Sequence, residues 1–225
     1  MNVLKYLPYI FHIVYFNFRY LPFKQALVLP ILLYKPKLLR MKGKVTIESN
    51  RIKTGMIRLG CYNVSLYPDA GIVWENHGGH VIFKSSCSIG NASAISIGQK
   101  GKLYFGTGFH SNSLKIACYK SISIGDYVRM GWDCLIIDTN FHRTKRINGE
   151  ASPAFGSIRI GKNNWIGLKC TVMKGTETPD YTIVAGNSVI NKKYDIPEYS
   201  LIAGSPAKLK FTGIYRDLAD DDIDY

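Results

Sequence analysis

Acidic side chains are absent from the first 47 residues, and cysteine is scarce throughout. The five cysteines, Cys61, Cys87, Cys118, Cys134 and Cys170, are odd in number and widely spaced, with no C-x-x-C pair. Neither a disulfide framework nor a cysteine zinc site is encoded, and a reducing, cytoplasmic location is expected. Long apolar runs are missing too. A bilayer-spanning helix needs about 20 residues, but the uncharged runs near the start cover only residues 6–18 and residues 25–34, the second interrupted by Pro30. No small-residue cleavage pattern follows, so a signal peptide is not expected. Charged residues make up 20% and hydrophobic residues 46%, which excludes a charged disordered tail and favours a folded body. Sustained helical periodicity is also lacking: 21 glycines separate short Ile/Val pieces, which argues against a helix bundle and for many short strands.

The formal net charge is +13, and it is unevenly placed. The last ten residues set Arg216 against Asp217, Asp220, Asp221, Asp222 and Asp224, so the rest of the chain is more basic still. That excess invites anionic partners: nucleic acid, a membrane surface or a phosphorylated cofactor. No nucleic-acid reader motif accompanies it, and no nucleic acid is expected as a partner. Residues 1–44 form a basic, aromatic, apolar segment with two readings: a helical cap on the main domain, or an anchor in the headgroup layer at the inner face of the membrane. Residues 212–225 read as an acidic tail, of which Asp217 to Asp224 are expected to be solvated.

Between them, residues 45–211 carry a period of six. Ile160, Ile166, Val172, Thr178, Val184, Ile190, Ile196 and Ile202 follow one another without a slip, and the register recurs in Ile124, Met130 and Ile136 and in Ile97, Leu103 and Phe109. Gly125, Gly131, Gly161 and Gly167 stand directly after their aliphatic residue. Neither a helix nor a hairpin has this period. A chain wound round a triangular prism does: each short strand sends one aliphatic side chain to the axis, and three strands close a coil. The expected fold is all-β, a parallel β-helix with a helical N-terminal segment. Cys134 and Cys170 fall on small inward positions and read as packing residues.

The pattern of an aliphatic residue, glycine and a small residue resembles the hexapeptide-repeat acyltransferases, whose coil is left-handed. The run Ile158-Arg-Ile-Gly-Lys-Asn-Asn-Trp-Ile-Gly, then Ile183-Val-Ala-Gly-Asn-Ser-Val-Ile and Asp195-Ile-Pro-Glu-Tyr-Ser-Leu-Ile-Ala-Gly-Ser-Pro-Ala-Lys, is similar to the C-terminal signature of galactoside, xenobiotic and polysaccharide O-acetyltransferases. The resemblance covers residues 122–211. It implies acetyl-CoA as acyl donor, a sugar or glycan acceptor, lipid-linked in some pathways, and a homotrimer with active sites between protomers.

The repeat breaks at residues 139–157, a polar insertion that a coil does not need, and such loops tend to carry function. It follows Asp138 and contains His142, similar to the D-x-x-x-H element that bears the family's catalytic histidine. Neutral imidazole suits the removal of a hydroxyl proton near neutral pH. His142 is expected as the general base; Asp138 either orients it or is a turn residue. The resemblance implies cofactor contacts at Trp165, Gly186, Asn191, Lys192 and Lys208, with Lys193 competing with Lys192 for one position, and a substrate contact at Asn112. His77, His80 and His110 lack metal-ligand spacing, and no metal is expected. The function implied is O-acetyl transfer to a sugar hydroxyl in capsular, exopolysaccharide or lipopolysaccharide biosynthesis. An antibiotic-modifying (xenobiotic) acetyltransferase and a noncatalytic trimeric scaffold are the alternatives.

Overall fold

The computed structural model describes residues 3–61 and 68–218. The acidic-tail reading therefore lies outside the described residues except for residues 212–218. Short strands wind in turn over three sheets, which we number as faces in chain order, and each pairs in parallel with the strands one coil before and after it. Face one has nine strands, face two seven and face three five. The last strand of face one, Ala207–Thr212, alone runs antiparallel, folding back on Ser200–Gly204.

The period-six residues are the axis. Met130, Ile166, Val184 and Ile202 lie one above another on face one, and Ile136, Val172 and Ile190 on face two. All of these are buried. Further up the axis aromatic rings take over: Phe83 and Phe105 stack at 5.2 Å, and Phe109 lies 5.2 Å from Phe105. The five cysteines are free and buried, and burial pushes the Cys87 and Cys118 thiols above the ordinary range.

The glycines of the repeat answer a need different from turning the chain. A Cβ on Gly125 would stand 2.5 Å from the Lys162 nitrogen, and one on Gly131 would stand 2.6 Å from the Leu168 nitrogen. The next coil passes too close for any side chain there. The left-handed backbone at the corners is instead taken by Tyr127, Asn163, Tyr181 and Tyr199, among others.

The coil begins earlier than residue 45. Ile31–Leu33, Pro36–Met41 and Lys44–Ile47 already occupy the three faces in order. The period hides this because coils differ in length: the step along the chain from Val45 to its partner Val81 is twice the step from Val184 to its partner Ile202.

Before the coil come a 3-10 helix, Val3–Tyr9, then α1, Ile10–Tyr20, and α2, Phe23–Ala26. The first α-helix ends where Leu21 turns extended ahead of Pro22, as a residue before proline must. Ile13 and Phe16 pack onto the open end of the coil, with the Phe16 ring 5.0 Å from that of Trp74. Asn17 completes the seal. Its side-chain amide donates to the Ile31 carbonyl at 2.8 Å, and its Oδ1 accepts from the Ile31 N–H at 3.1 Å. It thus supplies the partner that the first strand of face one would otherwise lack.

Candidate active site

The break in the repeat is an ordered arm of one coil's length. Met130 pairs with Ile166 and Ile136 with Val172, and each of these steps along the chain is twice the step from Ile166 to Val184 or from Val172 to Ile190. The surplus leaves the prism at the corner between faces two and three. Asp138 holds its root. Wholly buried, its two carboxylate oxygens accept the backbone N–H groups of Tyr119 and Lys120, each at 2.7 Å. The Gly156 N–H returns to the Asp138 carbonyl, Asn140 N–H donates to Ala154, and Thr139 faces Phe155 in an antiparallel bridge. Phe141 sets its ring edge-on to Tyr119 at 5.0 Å. His142 follows at once and is exposed to solvent. Each Asp138 oxygen accepts a backbone N–H, so the side chain ties the root of the arm to the preceding coil.

Beside the arm runs a cleft of about 680 Å³, lined by Lys100, Tyr119, Lys120, Arg143, Pro153 and Phe155, among others. Among the described residues, no carboxylate lines it.

A second groove, of about 490 Å³, lies on face one at its corner with face two. Its wall is a column of outward side chains from successive coils, His110, Arg129 and Trp165, which occupy equivalent register positions. Asn112, Trp132, Leu168 and Gly186 line the neighbouring corner. Gly167 and Gly186 let adjacent coils close up: a Cβ on Gly167 would lie 2.6 Å from the Gly186 nitrogen, and one on Gly186 would face the Leu168 carbonyl at 3.3 Å. Arg129 donates to the Gly108 carbonyl. Over the exposed indole of Trp165 lies the Arg216 guanidinium, 5.0 Å from the ring centre. The tail reaches this far because Tyr181 and Tyr199 stack at 4.6 Å and Tyr215 abuts Tyr199 edge-on at 5.8 Å.

Asn112, Trp165 and Gly186 are thus brought together, whereas Asp138 and His142 belong to the corner between faces two and three. Asn191 and Lys192 follow the last strand of face two at that same corner, both exposed, with the Lys192 ammonium 5.6 Å from the Tyr194 ring centre. Lys193 turns instead to Glu177, at 3.9 Å. Lys208 is exposed on the closing antiparallel strand, opposite Ala203. The cleft and the groove share no described lining residue. Sequence reasoning missed Arg129 and Arg216. Arg129 was within reach, since it precedes Met130 as Trp165 precedes Ile166. Arg216 had only an indirect signal, the corner tyrosines Tyr181 and Tyr199 on successive coils. Among the described residues, no group of three or more His, Cys, Asp or Glu side chains is placed to hold a metal.

No protein-family model matches the chain. It is 34% identical over 97 residues to a probable acetyltransferase of Mycobacterium tuberculosis, a match covering 42% of this chain and 31% of that protein. It is 27% identical over 152 residues to WbbJ, a candidate lipopolysaccharide biosynthesis O-acetyl transferase of Escherichia coli, covering 57% of this chain and 76% of that one. A probable macrolide acetyltransferase of Lysinibacillus sphaericus is 34% identical over 76 residues, 34% of this chain and 39% of the relative. The match thus spans about a third of the mycobacterial relative's length. Among solved structures, the polySia-specific acetyltransferase NeuO superposes with a TM-score of 0.53 at 17% identity, over 83% of this chain and 73% of that one, which shows a shared fold. The chain resembles the hexapeptide-repeat acetyltransferases in sequence and in fold.

Proposed function

We propose that this chain, a relative of the hexapeptide-repeat acetyltransferases, moves an acetyl group from acetyl-CoA to a sugar hydroxyl during capsular, exopolysaccharide or lipopolysaccharide assembly. The observation that carries the reading is the ordered arm: an otherwise regular coil extrudes one coil's length of chain, ties down its root through Asp138, and presents His142 to solvent. The likeness to WbbJ supports the glycan pathway. By the same resemblance the coil is left-handed.

In the reaction His142 takes the proton of the acceptor hydroxyl as its oxygen attacks the thioester carbonyl carbon. The C–O bond forms and, as the tetrahedral intermediate collapses, the C–S bond breaks; the imidazolium returns its proton to the departing sulfur. Backbone N–H groups at the corners are the candidate donors to the oxyanion. The face-one groove suits the donor's elongated arm. Trp165 offers a ring to pack on, Gly186 leaves the floor open, and Arg129 and Arg216 put positive charge there; Asn191, Lys192 and Lys208 serve the phosphate end from a neighbouring surface. Asn112 is the candidate acceptor contact in the groove.

His142 and the Trp165 groove stand at different corners, so a homotrimer in which the arm of one protomer meets the groove of the next completes the site. Turnover with labelled acetyl-CoA over a panel of glycans and macrolides tests the reaction, and His142→Ala should abolish it while donor binding persists. Mixing His142→Ala with Trp165→Ala chains, refolded together, tests the geometry: random trimers restore activity at about a quarter of the junctions. No recovery, or a monomer by light scattering, overturns the shared site. Transfer to a macrolide but to no glycan would shift the acceptor class to xenobiotics.

A further inference from the structure

The N-terminal cap is apolar on both sides. One face of α1 seals the coil through Ile13 and Phe16. At about 100° per residue, the opposite face presents Phe11, Tyr15 and Phe18, exposed to 84%, 54% and 42%. Leu4 and Leu7 of the preceding 3-10 helix are exposed as well, and so is Phe23, whose ring lies 5.8 Å from that of Phe18. A cap that ended in water would carry polar residues on this side; a contiguous apolar patch marks an interaction surface. The cap is too short to cross a membrane, since α1 has 11 residues and no helix among the described residues is long and apolar enough.

Charge identifies the partner. The cap carries Lys5, Arg19 and Lys24, and no acidic residue occurs before Glu48. A second copy of the same face would set cation against cation, whereas an anionic surface complements it. We propose that this face lies in the headgroup layer of an anionic lipid bilayer, with Phe11, Tyr15 and Phe18 at the acyl boundary and the basic side chains at headgroup level. The cap and anchor readings are then two sides of one helix. The proposal does not depend on acetyl transfer.

The test is flotation of the full chain with vesicles of phosphatidylcholine alone or containing about 30% phosphatidylglycerol, an anionic fraction that attracts basic segments. The chain should float with the anionic vesicles only, and release as salt shortens the range of the attraction. Lys24→Gln should lower the partition coefficient about fivefold. Phe11→Ser with Tyr15→Ser should lower it by more than about tenfold, with circular dichroism unchanged because both side chains are exposed. Equal binding to neutral vesicles, no flotation, or indifference to these substitutions overturns the proposal. So does a wild-type assembly that doubles in mass by light scattering and reverts with Phe11→Ser and Tyr15→Ser, since a second copy would then own the face.

Discussion

Replacing Asp138 by Asn separates an anchoring role from a chemical one. Its carboxylate accepts two backbone N–H groups at 2.7 Å, from Tyr119 and Lys120. Asn keeps one acceptor oxygen and turns an NH2 group toward the other amide, so one hydrogen bond to a charged acceptor is lost and one backbone donor loses its partner. Such a bond contributes about 1.5–3 kcal/mol net, and at about 2–4 °C per kcal/mol for a chain of this size the Tm should fall by roughly 3–12 °C. Because the same contacts root the arm, kcat should drop. The acetyl-CoA Kd should hold, since Trp165 and Gly186 lie at another corner of the prism and Asn191 and Lys192 follow the last strand of face two, not the arm. The pH–rate midpoint should stay in place: an anchor changes how often His142 is correctly placed, not its proton affinity. Calorimetry, titration of the donor and a pH–rate series give the three readouts. An unchanged Tm, or a displaced midpoint at full stability, would show Asp138 acting on the imidazole itself and refute the anchoring argument.

Trp165→Ala should raise the acetyl-CoA Kd by roughly ten- to a hundredfold if its ring packs on the donor, read by calorimetric titration, with the Tm almost unmoved because the indole is already 40% exposed. Phe105→Ala should cost about 3–5 kcal/mol in the denaturant midpoint, since it empties the ring column between Phe83 and Phe109; a loss below about 1 kcal/mol would mean that the axis refills. Acidification should destabilise the fold in two stages. Burial, with Lys102 and Lys44 nearby, holds His80 below the ordinary imidazole range. The Ser96 hydroxyl and His77 hold Glu75 below the carboxylate range; for Asp126 burial acts upward, but Lys84 and the Thr107 amide outweigh it. Each folded pKa lies below its unfolded value, so the stabilisation is complete above the unfolded pKa and is lost as pH falls through the folded one. The first loss should begin below about pH 6.5 and the second below about pH 4.5. His80→Gln should flatten the first stage in a Tm-against-pH series, and a Tm that rises on acidification would contradict the assignment.

How much of this was legible follows from strand length. In the C-terminal coils the strands Trp165–Ile166, Ile183–Val184 and Val189–Ile190 are two residues long, so corners of fixed size dominate and the period of six stands clear. In the N-terminal coils strands run to five or six residues, as in Ile72–Asn76, Ser93–Ile97 and Pro36–Met41, and the step from one coil to the next is uneven. Ile95 meets Ile116 on face two and Leu103 meets Ile122 on face three, and the first step along the chain is longer than the second. A fixed-period reading loses the register between such coils although their inward residues, with Phe83, Phe105 and Phe109 among them, are just as apolar. The arm was visible as a break, but its root was not, because Tyr119 and Lys120 belong to the preceding coil and backbone amides leave no mark in a sequence. Tyr215 and Arg216, just ahead of the acidic run, return to the coil on rings that only the fold brings together.

A stacked coil has no natural end, and each place where this one departs from its repeat solves a problem of unpaired backbone. At the far end Ala207–Thr212 folds back antiparallel on Ser200–Gly204, which occupies the edge of face one that another chain could otherwise extend. At the near end Asn17 supplies a side-chain amide in place of a strand. At the corner between faces two and three, the extruded arm is closed by Asp138 and by backbone bonds to Ala154 and Gly156. The repeat itself contributes a rigid column and a spacing of side chains; identity along it varies little because every inward position needs the same thing. Three of the features proposed to act sit where the repeat stops, His142 on the arm, Arg216 on the returning tail and the aromatic face of α1 ahead of the first coil, whereas the Trp165 groove is built on outward positions of the repeat itself. Swapping an inward Ile for Val should therefore leave turnover, donor binding and vesicle binding in place, while a substitution at any one of these departures should lower one of the three and spare the others.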